Sequence, residues 1–359
     1  MKNLIGKNSA LFLTVAIVAV LLGIFIQTGS DKSKASPVFE KLILLPTPRN
    51  INTTVFDSHL GEKTDANFFK GKWSILFFGF TNCPDICPTT LQTLKNVKRD
   101  LEQNKLWQNY QVIMVSVDPE RDTPEQLAKY VPFFDSEFIG ISADKAATTA
   151  FAKDVGVLFF ATEKDEDGRY DVDHSASLIL INPDGQWAGA ITAPHKQDAI
   201  TKDLIKLANY KGVNAYPVST TKLQANQTSK PAQTSPGQEI LIKNAWIRPA
   251  PPTASSMAAY FELVNNSDED LKIVDSSSPE FEMTMIHSTQ IEEDGIARMH
   301  HLDHLLIPSK GRVILEPLGK HMMLMQAIEP LGLGDTATIR LISDQGIEIV
   351  SEITVQQGQ

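Results

Sequence analysis

The chain opens on an uncharged apolar run. Residues 10–26 (ALFLTVAIVAVLLGIFI) carry no charge and follow Lys2 and Lys7. At about 1.5 Å per residue the run nearly spans a hydrocarbon core of about 30 Å. Residues 1–30 are therefore expected to be a single-pass transmembrane helix, with the lysines on the cytoplasmic side and the rest outside. The alternative is a cleaved signal peptide, for which Ser33-Lys34-Ala35 offers only a weak cleavage site.

Residues 38–209 alternate between strand and helix patterns. Buried-strand runs cover 74–80 and 111–117. Helical spacing covers 88–102, with Leu91, Leu94, Val97 and Leu101 on one side. Thr123-Pro124-Glu125-Gln126 has the form of a capping box with Pro at the first helical position, opening a helix toward Phe134. A further helix is expected over 144–155, closed by Gly156. Residues 178–181 and 187–191 flank an Asn182-Pro183-Asp184-Gly185 turn and read as a hairpin. The alternation predicts an α/β domain.

Residues 210–239 are rich in Ser, Thr, Gln, Asn and Pro, a composition that buries too little surface to order itself. They read as a flexible linker with an r.m.s. reach of about 30 Å. From 240 to 357 the pattern becomes many short strands, at 258–264, 271–274, 282–288, 297–302, 312–315, 321–325, 337–342 and 347–355. Turn residues separate them, and the expectation is an all-β sandwich or small barrel.

The length of 359 residues suits two folded domains. A net charge of −10 argues against nucleic acid as a partner, since a phosphate backbone needs a Lys/Arg patch. The 2 Cys are too few for a disulfide scaffold. Both, Cys83 and Cys87, sit in the loop after the first buried strand and before a helix. That helix N-terminus is expected to stabilise a thiolate. The pair can form a disulfide, exchange with one, or hold a soft metal ion. A structural disulfide or two buried thiols is the plain alternative. His174, at the end of a charged loop, is a candidate third ligand. Two sulfurs and one nitrogen suit Cu(I) and tolerate Cu(II), whereas zinc usually wants a fourth ligand. Alone, His174 would read as a surface residue.

The second domain holds five of the 8 His and seven of the 9 Met, all between Met257 and Met325. The strand period places Met283, Met285 and His287 on one face, and His321, Met323 and Met325 on one face. A single Met in a strand is core filling. Thioethers interleaved with imidazoles instead make a Cu(I) site that neither titrates nor oxidises to a disulfide. His300, His301 and His304 read as solvated residues or as a second, weaker site.

Three motifs, FFGFTNCPDICPTTL, VSVDPERDTPEQL and DVDHSASLILINPDG, resemble the Sco/SenC family over 38–209. The resemblance implies a membrane-anchored, thioredoxin-like fold and a role in assembling the CuA centre of cytochrome c oxidase. It makes Cys83, Cys87 and His174 copper ligands. Asp85, Asp118, Arg121 and Asp122 also lie in its motifs, where helix capping and loop pairing explain them at least as well as a direct role. His287, eleven residues, Met299, twenty-one residues and His321-Met322-Met323 resemble the periplasmic PCuAC copper-chaperone family over 240–356. That resemblance implies a cupredoxin-like barrel with His287, Met299, His321 and Met323 as ligands. Ser288 departs from the pattern, since many members carry Met there.

Together the resemblances imply a copper chaperone anchored in the inner membrane, with both domains in the periplasm. The implied partners are the CuA domain of oxidase subunit II and other copper chaperones. The competing expectation is a thiol–disulfide reductase acting through Cys83 and Cys87, with copper held only by the second domain. A thioredoxin-like peroxidase is disfavoured for want of a separate peroxidatic Cys environment.

Overall fold

The computed structural model describes residues 38–52, 54–65, 67–164, 168, 170–210 and 240–358. The expected anchor (1–30) and nearly all of the expected linker lie outside these residues. Among the described residues no helix is long and apolar enough to cross a membrane. The described residues from 39 to 358 fall within one compact unit.

The first half runs β1 (Leu42–Asn50), β2 (Phe56–Ser58), β3 (Lys63–Thr64), β4 (Trp73–Gly79), α1 (Ile86–Gln103), β5 (Tyr110–Ser116), α2 (Pro124–Phe134), β6 (Ile139–Ser142), α3 (Lys145–Asp154), β7 (Phe159–Ala161), β8 (Val172–Ser175), β9 (Leu178–Ile181), β10 (Gln186–Ile191) and α4 (Gln197–Ala208). Eight of these strands make one sheet in the order β1-β10-β9-β4-β5-β6-β2-β3. The pairs β4–β5 and β5–β6 are parallel, and β9 and β10 form the expected antiparallel hairpin.

Every residue of β4 is buried, as a central strand covered on both faces requires. α1 buries Leu91, Leu94, Val97 and Leu101, the stripe its spacing dictates. Thr123 Oγ1 accepts from Gln126 N at 3.3 Å to start α2, and Asp144 Oδ1 accepts from Ala147 N at 2.8 Å to start α3. Gly156, at φ +73°, follows α3, where a side chain would be strained. The result is a thioredoxin-like α/β fold, with the Cys loop leaving the end of β4 and entering α1.

The second half runs β11 (Ile240–Ile247), β12 (Ser256–Asn265), β13 (Leu271–Ser277), β14 (Phe281–Ile291), β15 (Ile296–His301), β16 (Leu305–Ile307), β17 (Arg312–Leu315), β18 (Lys320–Ala327), β19 (Thr336–Ser343) and β20 (Glu348–Thr354). All eight expected strands are present. β11 and β16 are additional. Two sheets enclose the second core, of which Phe261, Ile286, Met322, Leu324 and Ile339 are part. One is β16-β13-β19-β20, and the other contains β11-β12-β18-β14-β15. The domain is a β-sandwich.

That second sheet does not stop at β15. It continues through β8 and β7 of the first half. Ile296 pairs with Ser175 and Ala297 pairs with His174. His174 is thus a strand residue on a sheet shared by both halves, not a loop residue preceding the hairpin. Ala297 accordingly packs into the core of the first half.

Candidate metal centre

β4 ends at Gly79, and the loop to α1 brings the two cysteines over the sheet. Cys83 is 3% exposed and Cys87 fully buried, and both are free thiols. Cys87 N donates to Cys83 Sγ at 3.4 Å. β8 delivers His174 from the other side, with Nε2 at 3.7 Å from Cys87 Sγ. His174 Nδ1 lies 3.0 Å from the Ser175 carbonyl, which can only accept, so Nδ1 carries the proton and Nε2 presents its lone pair to the sulfur. The rings of Phe77 and Phe80 stand edge-on to the imidazole at 6.2 Å. Burial holds His174 below the usual imidazole range, against the opposing pull of its Ser175 bond, so the ring is neutral.

The expected thiolate is not what this environment favours. Burial pushes the Cys87 thiol well above its usual range, and the adjacent Cys83 adds to the shift. Desolvation outweighs the helix N-terminus, and without a bound cation Cys87 is a thiol.

The loop is clamped from beneath. Buried Asp122 accepts from Thr81 N at 3.1 Å, from Thr81 Oγ1 at 2.6 Å and from Ser116 Oγ at 2.7 Å. Burial raises its carboxyl to about 6 in spite of these bonds. Asp118 holds the Arg121 guanidinium and accepts from Tyr170 Oη at 2.7 Å, and Arg121 stacks 3.8 Å over the Tyr170 ring. These three motif residues are loop pairings. Asp85 is different. It stands at the N-cap of α1, yet its side chain caps nothing.

In the second half, register does the positioning. Across β14 and β18, His287 faces His321, Met285 faces Met323 and Met283 faces Met325. The face deduced from strand period is one continuous ladder. On β15, Met299 faces Thr289, diagonally next to His287, and His301 faces His287 directly. Met322, one residue out of phase, fills the core with Leu324.

His321 is fully buried, and the His287 and His321 ring centroids are 6.2 Å apart. Neither buried nitrogen of His287 has a protein partner, and neither does His321 Nε2. His321 Nδ1–H donates to the Gly319 carbonyl at 3.1 Å, which leaves Nε2 as the bare donor atom. Burial lowers His287 to about 3, with the neighbouring His321 and His301 adding to the shift. Orphaned imidazole nitrogens beside thioethers are what a soft cation requires. His300, His301 and His304 are exposed, and the first two lie near Glu292 and Asp303. They are solvated edge residues. Among the described residues no group of three or more His, Cys, Asp or Glu stands ready as a metal cluster. That holds for Cys83, Cys87 and His174 as it does for the histidines of the second set, where thioethers would have to supply the remaining donors.

The ladder faces the first half. A cavity of about 470 Å³ is lined by Met285, His287 and Met323 on one side and by Asn82, Arg121 and Tyr170 on the other. Asp85 closes the same interface, accepting from Tyr260 Oη and Thr289 Oγ1, each at 2.9 Å. The sequence holds no signal for that partnership beyond an acid placed between two cysteines.

The family model described as SCO1/SenC matches residues 52–209, and the one described as "Putative lipoprotein LpqE-like" matches residues 240–355. "Putative copper-binding protein" of Stutzerimonas stutzeri is 37% identical over 163 residues, 45% of this chain and 79% of that one. "Protein SCO2 homolog, mitochondrial" of Bos taurus is 31% identical over 196 residues, 55% of this chain and 74% of that one. Among solved structures, "Copper-bound PCuAC domain from PmoF2" aligns at 19% identity with a TM-score of 0.30, over 35% of this chain and 100% of that one.

Proposed function

The chain belongs to the SCO1/SenC family, and on that premise we propose that it is a copper metallochaperone with one cargo site in each half. Cys83, Cys87 and His174 hold one ion. His287, Met299, His321 and Met323 hold the other. The target is the CuA centre of a cytochrome c oxidase. The chain works from the periplasmic face of the inner membrane, held there by residues 1–30.

One observation carries the reading. The structure buries imidazole nitrogens that meet no protein partner in the second set, His287 Nδ1 and Nε2 and His321 Nε2, and brings His174 Nε2 to 3.7 Å from Cys87 Sγ in the first. A fold gains nothing from leaving such atoms unpaired, at about 1–3 kcal/mol each, unless a ligand completes them. Cu(I) fits both sets, because thiolate, thioether and imidazole are its preferred donors.

Within the chain, β8 presents the His174 lone pair to Cys87, and the buried loop keeps water from the sulfurs. Loading the first site displaces the Cys87 thiol proton, because burial keeps that thiol protonated beforehand. In the second site burial keeps His287 neutral, and the thioethers do not titrate.

The second reading, a thiol–disulfide reductase in the first half, keeps the two cysteines and makes no use of His174. The Cys87–His174 approach favours the copper reading. The test is the Cu(I) stoichiometry of the reduced protein, by competition with a chromophoric chelator under nitrogen. Two coppers should fall to one in Cys83→Ser/Cys87→Ser and to one in His287→Ala/Met323→Ala. One copper, lost only in the second variant, would leave the first half as the reductase.

A further inference from the structure

An Asp at an N-cap ordinarily accepts from the first free N–H groups of its helix. Asp85 does not, and it is fully buried. A buried carboxylate without donors is costly, so its partners define what it is for. Outside its own helix turn, they all come from the second half. Tyr260 Oη donates to Oδ1 at 2.9 Å, Thr289 Oγ1 to Oδ2 at 2.9 Å and Leu318 N to Oδ2 at 3.1 Å. The Arg248 guanidinium lies 3.6 Å from Oδ1 and donates to the Asp85 carbonyl at 2.9 Å. Arg248 in turn stands 4.8 Å over the Tyr260 ring. These residues form a socket on the sheet face that carries the histidines and thioethers. Tyr260 shares that face with Met323, because Ala258 faces Met323 and Tyr260 lies two residues on.

His321 Nδ1 lies 3.6 Å from Asp85 Oδ2. The carboxylate is thus on the protonated side of the ring, next to the N–H that the Gly319 carbonyl accepts, while Nε2 stays bare. A metal-bound imidazole is commonly oriented in this way. Its second nitrogen is turned toward a carbonyl or carboxylate, which fixes the ring and raises its donor strength, and loss of that group costs about 10–100-fold in metal affinity.

We propose that the first half supplies the orienting carboxylate of the second half's copper site. Asp85 is the positioning residue: it seats the dithiol loop in the Arg248–Tyr260–Thr289 socket and stabilises a cation on His321. The affinity of one domain's site then depends on whether the other domain is seated. By reciprocity, copper on His321 tightens the seat by the same factor. The inference rests on the second set being a copper site.

The test uses the whole chain. In the Cys83→Ser/Cys87→Ser background only the second site loads, and its Cu(I) affinity is read by chelator competition with and without Asp85→Asn. A fall of about tenfold or more, with the copper count held at one and the thermal midpoint of the metal-free protein within a few degrees, is expected. Tyr260→Phe, which removes a single donor from the second half, should lower affinity in the same direction by less. In a metal-free arm, with both cysteines present, Arg248→Ala should speed iodoacetamide labelling of Cys83 several-fold, although Arg248 lies in the other half.

Unchanged affinity in Asp85→Asn overturns the orienting role. Unchanged labelling in Arg248→Ala overturns the seat. A Cys→Ser background that binds no copper overturns the copper reading of the second half, and the labelling arm still decides the seat.

Discussion

Replacing His287 by Leu should make the metal-free protein more stable. Neither ring nitrogen of His287 finds a protein partner, and each is shut off from solvent. A buried unsatisfied polar group costs about 1–3 kcal/mol. Leucine removes two such groups and keeps the apolar contacts of the strand. Its shorter side chain gives part of the gain back as imperfect packing. The net is a gain of about 1–2 kcal/mol, or a rise of about 1–3 °C in the midpoint at this chain size. Differential scanning fluorimetry of reduced, chelator-treated protein would read it. With Cu(I) at about 100 times its Kd, the ligand adds about 2.7 kcal/mol to the wild type alone at this site, and the order of the two proteins reverses. A metal-free His287→Leu midpoint well below wild type would mean that the imidazole is satisfied and structural. Orphaned nitrogens would then no longer mark a ligand site at His287.

Gly79→Ala should crowd the dithiol loop, since a Cβ there would stand 2.5 Å from Phe77 Cζ and 3.0 Å from Cys87 Sγ. We expect about 1–3 kcal/mol of destabilisation in chemical denaturation and a weaker first site by chelator competition, with the second site unchanged. Asp122→Ala removes the acceptor beneath the loop and leaves Thr81 and Ser116 donors buried and unpaired. It should cost about 3 kcal/mol in urea unfolding and speed labelling of Cys83. The first site's Cu(I) affinity should rise with pH between 6 and 8 more steeply than the second's. Cys87, raised by burial, must release a proton to bind, whereas His287, lowered to about 3, has none to lose. Competition titrations on the two single-site variants would show equal slopes if that protonation assignment is wrong.

Much of this was legible in the sequence because it is local. The stripe of α1, the capped start of α2, the span of α3 with its closing Gly156, and the β9–β10 hairpin follow from spacing and turn residues. The ladder of His287, Met285 and Met283 against His321, Met323 and Met325 follows from a period of two, once the strands are taken as neighbours. What escaped is non-local. Nothing in DVDHSA says that His174 lies on a strand added to the other domain's sheet, and β8 is only four residues long. The part Asp85 plays is invisible for the same reason, since its socket is built from β11–β12, β14 and the turn before β18. The thiolate expectation failed on a competition that sequence cannot weigh: a helix N-terminus is visible in the string, but the depth of burial that opposes it is not.

The most direct test of the account is copper transfer. The chain, loaded with Cu(I), is mixed with the soluble CuA domain of oxidase subunit II, its cysteine pair reduced beforehand. The two proteins are then separated and the copper on each is counted. Copper is expected to move to the acceptor, and to move less from His287→Ala/Met323→Ala and from Cys83→Ser/Cys87→Ser. Copper that stays on the chain, while an oxidised acceptor has its disulfide reduced in a parallel reaction, would contradict the chaperone and establish the reductase.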